Sequence, residues 1–83
     1  MKVLLTIEGG FAKTLFEGDK GAVEWFLKGF QYSRNKNLES PEVIGLITTM
    51  EVFGLIVSGK IHEYTQGVLS AMENKLGKLE VVE

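Results

Sequence analysis

The stretch from Ser40 to Gly59, SPEVIGLITTMEVFGLIVSG, is the longest nearly uninterrupted apolar run of the chain, and whatever it forms must be covered by the rest. Two readings of it compete. In the helical one, Ser40 caps the first turn, Pro41 sits at the first helical position where its missing amide costs nothing, and Glu42 suits the positive end of the dipole. Val43, Leu46, Ile47, Met50, Phe53 and Val57 then recur at spacings of three and four, and Gly59 stands where a left-handed cap would close the helix. Against it, Val43, Ile44, Ile47, Thr48, Thr49, Val52, Ile56 and Val57 are β-branched, and Gly45 and Gly54 each cost about 1 kcal/mol in a helix. The alternative is a buried hairpin of residues 43–48 and 52–57, but Thr49, Met50 and Glu51 lack the turn residues that supply positive φ. A membrane span fits least, because the run falls short of roughly 20 apolar residues and carries Glu51 in its middle.

With 83 residues the chain makes one domain, residues 1–83, close to the lower limit at which one core folds unaided. It has no cysteine, so disulfides, thiolate metal sites and thiol nucleophiles are excluded. Stability has to come from packing. In so small a chain some of the 45% hydrophobic residues are expected to remain outside the monomer core, which favours self-association or a partner. The formal net charge of −2 points to no polyanion. Met1-Lys2-Val3 leads straight into strand-like sequence with no secretory signal pattern, so the expected location is intracellular, by default cytoplasmic, and no membrane partner is expected.

Lys2 to Glu8 alternate apolar and polar residues, Gly9-Gly10 suit a tight turn, and Phe11 to Glu17 return. A two-residue turn sets Ile7 opposite Ala12, Leu5 opposite Thr14 and Val3 opposite Phe16 on the core surface. Lys2 then faces Glu17, Leu4 faces Leu15, Thr6 faces Lys13 and Glu8 faces Phe11 on the other. Asp19 is a natural N-cap for a helix to about Arg34, whose inward stripe is Val23, Phe26, Leu27, Phe30 and Arg34. Trp25, Lys28, Gly29, Tyr32 and Lys36 fall opposite. A second helix fits Lys60 to Leu76, with Ile61, Tyr64, Thr65, Val68, Met72 and Leu76 inward and Glu63, Ser70 and Asn74 toward water. Leu79 to Glu83 can add an edge strand. The expected fold is α+β, an N-terminal antiparallel hairpin packed on two or three helices in the order ββααα with a possible short C-terminal strand. The alternative is a ferredoxin-like two-layer sandwich with residues 43–57 as two buried strands.

Few residues suggest chemistry. Gly54 to Ile61, GLIVSGKI, spaces two glycines and a lysine as a phosphate loop does, but Ile61 replaces the magnesium-holding hydroxyl and Leu55, Ile56 and Val57 are stiff apolar residues. Lys28 to Tyr32, KGFQY, echoes an RNA-binding strand but lies on an expected helix and lacks a partner motif. His62 is the only histidine and has no second histidine to complete a metal site. The glutamates are scattered, with no apolar enclosure to raise a pKa except at Glu51, which sits within the apolar run and either points to solvent or is buried with a partner such as Lys60. Neither a catalytic residue, a cofactor nor a metal ligand is assigned. The candidate partner-binding residues are Trp25, Lys28, Tyr32 and Lys36, because large aromatics with nearby cations dominate protein contacts. Nucleic acid ranks below protein, since only Lys28, Arg34 and Lys36 are positive in that neighbourhood. The expected function is a small non-enzymatic interaction or regulatory protein that binds another macromolecule, as a homo-oligomer. The alternative is a small-ligand or metabolite-binding module with a pocket at a subunit interface.

Overall fold

The computed structural model describes residues 1–37 and 61–83. The run from Ser40 to Gly59, with its choice between helix and hairpin, lies outside the described residues, as do Glu51 and the glycines of the phosphate-loop spacing. The described elements are β1 (Lys2–Thr6), β2 (Ala12–Glu17), α1 (Lys20–Lys36), α2 (Ile61–Glu73) and β3 (Lys78–Val82). They form an α+β arrangement of a three-stranded antiparallel sheet, in the order β2-β1-β3, and two helices. Among the described residues two helices and one C-terminal strand are present where ββααα was expected; the remaining helix of that order was expected over the central run, outside the described residues. Because β1 is bonded on both sides, any further strand could join only the outer edge of β2 or β3.

The hairpin register corrects the expectation. Lys2 faces Glu17 and Val3 faces Phe16 as the two-residue turn requires, but Leu4 faces Thr14, Leu5 faces Lys13 and Thr6 faces Ala12. The cause is at the tip. Gly10 N donates to Ile7 O at 3.2 Å and Ile7 N to Phe11 O at 3.5 Å, so Ile7 lies opposite Phe11 and the loop holds three residues, Glu8, Gly9 and Gly10. Both glycines have positive φ, 111° and 123°, as such a loop demands. One extra residue in the loop is balanced by a bulge that leaves Leu15 unpaired between Val3 and Leu4. The bulge turns two consecutive side chains, Leu15 and Phe16, toward the core, and both pack against it.

Asp19 caps α1 as expected, its carboxylate accepting from Ala22 N at 2.8 Å. The helix runs two residues past Arg34, to a left-handed Asn37 at φ 49°. Val3 and Leu5 of β1, Val23, Phe26 and Phe30 of α1, and Val68 and Ala71 of α2 are buried at 2% exposure or less. Phe16 and Phe26 stack across the sheet–helix layer with centroids 4.7 Å apart.

The α2 face is rotated from the expected one. Gly67, Val68, Ala71 and Asn74 are buried, whereas Leu76 lies beyond the helix and is exposed. Asn74 was expected to face water. Instead its side-chain amide donates back to Ser70 O at 2.8 Å and its carbonyl accepts from Arg34 Nη2 at 2.8 Å, so burial leaves both groups paired. The rotation brings the smallest residues of α2 to α1. A β-carbon on Gly67 would strike the Phe26 carbonyl oxygen and come within 2.9 Å of Phe30 N. One on Gly29 would strike the Tyr64 carbonyl oxygen. The two helices therefore cross backbone on backbone at a pair of glycines.

Candidate functional site

That crossing positions the aromatic residues. With Gly29 buried beneath α2, the neighbouring positions Trp25 and Tyr32, one turn to either side, flank the contact and both are half-buried. Tyr64 of α2 stands between them. Its ring centroid is 6.2 Å from Trp25, edge-on, and 6.3 Å from Tyr32, tilted. Lys28 is exposed and sets its Nζ over the Trp25 ring, 4.5 Å from the centroid, a cation–π contact. Of the four residues singled out from sequence, Trp25, Lys28 and Tyr32 are thus brought together around Tyr64. Lys36 is exposed in the last turn of α1, and among the described residues it makes no ring contact.

Tyr64 is the member that sequence reasoning missed, having been placed simply on an inward stripe. Gly29 was assigned to the outer face and is buried. A signal for both existed in the glycines themselves, since a glycine inside a helix costs about 1 kcal/mol relative to alanine and needs a compensating contact.

Burial raises the Tyr64 pKa above its usual 10, and the neighbouring Tyr32 phenol adds to the shift. The folded state therefore holds the Tyr64 proton more tightly than the unfolded chain does. The stability this contributes is complete below pH 10 and is lost as pH rises through the folded-state value. Tyr64→Phe is expected to flatten the alkaline limb of a stability–pH curve measured by urea denaturation, leaving neutral pH little changed. An alkaline limb identical in the variant would show that Tyr64 does not set it.

At the far end of the helix pair, Arg34 ties α1 to the turn between α2 and β3. Nη1 donates to Gly77 O at 3.0 Å, Nη2 to Asn74 O, and the guanidinium lies 4.5 Å over the Phe30 ring. Its Nε and the Oε2 of Glu63 are buried without a hydrogen-bond partner among the described residues. Beside Arg34, a cavity of about 100 Å³ is lined by Ser33, Arg34, Asn37, Ala71, Met72 and Lys75. Ligand sites usually need roughly 300–1,000 Å³, so this one suits a few water molecules rather than a metabolite.

Among the described residues no three His, Asp or Glu side chains gather as a metal site would require, and His62 is exposed in the first turn of α2. What the arrangement can offer is a half-covered aromatic surface carrying a positive charge. Comparison with known proteins finds no matching family model, no similar curated protein and no similar solved structure.

Proposed function

We propose that this chain is a small interaction module without catalytic machinery, which binds another macromolecule and self-associates through the face of α1 that carries Trp25, Lys28, Tyr32 and Lys36. Tyr64 of α2 completes that face. The observation that carries the reading is the Trp25–Tyr64–Tyr32 cluster, half-buried within the chain and crossed by the Lys28 ammonium. Aromatic rings whose apolar bodies are only partly covered gain most from a second surface, and tryptophan and tyrosine next to cations are the residues that most often anchor one. The small-residue crossing beneath holds the rings in place, so little side-chain entropy remains to be lost on binding.

The test compares two double variants. Trp25→Ser with Tyr32→Ser is expected to keep the far-ultraviolet circular dichroism spectrum but to reduce sedimentation to that of a monomer, since truncating an interface anchor costs about 2 kcal/mol or more. Because both rings also touch Tyr64, Lys28→Glu with Lys36→Glu provides a variant that leaves the aromatic packing in place, and it is expected to weaken assembly as well. Unfolding of the serine variant together with unchanged assembly of the glutamate variant would return the aromatics to the monomer core. Oligonucleotide binding that falls steeply with salt would transfer the site to nucleic acid.

A further inference from the structure

We propose that the end of the sheet formed by the β1–β2 loop and the α2–β3 turn docks peripherally on an anionic lipid surface. The three most protruding apolar residues of that end are Phe11, 88% exposed, Leu76, 82% exposed, and Ile7, 47% exposed. They belong to one patch. The hydrogen bond from Ile7 N to Phe11 O pairs Ile7 with Phe11 across the hairpin, and a shallow groove lined by residues 6–10 and 76–78 sets Leu76 beside Ile7. Gly77, at φ 116°, seats the turn against β1, since a β-carbon there would press on the Leu5 side chain and the Thr6 carbonyl. Exposed apolar groups held this firmly are not a frayed end.

Charge decides what covers them. Lys13 lies two residues beyond Phe11 and opposite Leu5, Lys75 precedes Leu76, and Lys78 lines the groove opposite Thr6. All three are exposed; among the described residues Glu8 is the carboxylate at the tip itself, and Glu80 stands farther along β3, two residues beyond Lys78. A chain with formal net charge −2 therefore carries a basic collar around its apolar tip. Two copies meeting through this end would bring the collars together, which like charges oppose. A bilayer accepts side chains that protrude from two separate loops with no matching cavity, and its headgroup phosphates stand at the height of a collar. No described helix is long and apolar enough to cross a membrane, and the contact proposed here needs none. A surface contact of this kind departs from the expectation of no membrane partner.

The experiment is co-sedimentation of the full chain with phosphatidylcholine vesicles, with and without phosphatidylserine. Binding is expected only with phosphatidylserine. It should fall by more than about tenfold when Lys13, Lys75 and Lys78 are changed to glutamine, and by a similar factor, about tenfold, in Phe11→Ser with Leu76→Ser. Since these side chains are exposed, circular dichroism should report an unchanged fold in both variants. Trp25→Ser with Tyr32→Ser should still bind vesicles, which separates this surface from the α1 face. No binding to phosphatidylserine vesicles, equal binding to phosphatidylcholine alone, or indifference to both variants would overturn the proposal. So would a lipid-free sedimentation coefficient that drops in Phe11→Ser with Leu76→Ser without any vesicle binding, which would assign the patch to a protein contact.

Discussion

Gly67→Ala is expected to destabilise the chain by about 3 kcal/mol or more, although alanine is the better helix former by about 1 kcal/mol. The two effects have opposite signs, and geometry settles which is larger. The added methyl meets the backbone of Phe26 and Phe30 rather than the end of a flexible side chain, so only separation of the helices can make room. Separation opens the contact on both sides, loosening Ala71 from the α1 core residues. A domain of this size has on the order of 4–12 kcal/mol of stability in all, so urea midpoints should fall far, and Gly29→Ala should behave alike because its methyl meets the Tyr64 backbone. A midpoint that rises in either variant would mean that the helices do not touch there.

Phe30→Ala is expected to cost about 3–5 kcal/mol. Phe30 is fully buried, lies 6.1 Å from Phe26, and gives the Arg34 guanidinium the ring on which it rests. Its loss therefore opens a cavity and also frees the side chain that joins α1 to the α2–β3 turn. Phe30→Leu, which keeps most of the volume, should cost under half as much. Equal costs for the two substitutions in chemical denaturation would place the energy in the Arg34 contact rather than in filled space.

Much of the fold was legible because the signals are local. Alternation marked β1 and β2, Asp19 marked the start of α1, and the C-terminal alternation marked β3, which pairs with β1 across Lys78–Val82. What was not legible depends on three dimensions. The Gly9-Gly10 pair serves either a two-residue or a three-residue loop, and the choice rests on whether β2 can absorb a residue elsewhere, as it does at Leu15. Helical wheels weigh side chains, so Gly29 and Gly67, which contribute closeness rather than burial area, were not recognised as the axis of the helix pair. Arg34 was correctly placed on the inward stripe, but its partners, the carbonyls of Asn74 and Gly77, lie some forty residues away, and no spacing rule points to them. For the site, the grouping of Trp25, Lys28 and Tyr32 was visible on one helix, while Tyr64 required knowledge of which helix crosses it.

The bulge at Leu15 also bears on how this sheet could grow. Regular backbone spacing is what lets one strand template another, and the side of the sheet formed by β2 lacks it at Leu15. β3, the other outer strand among the described residues, pairs with β1 without a register shift over Lys78–Val82. A sheet with one receptive side can be extended once, by a single strand or by a twin that then blocks the position, whereas an endless fibre needs receptive sides at both ends. The unpaired leucine would thus oppose the addition of a strand at β2 while giving the core a second contact from that strand.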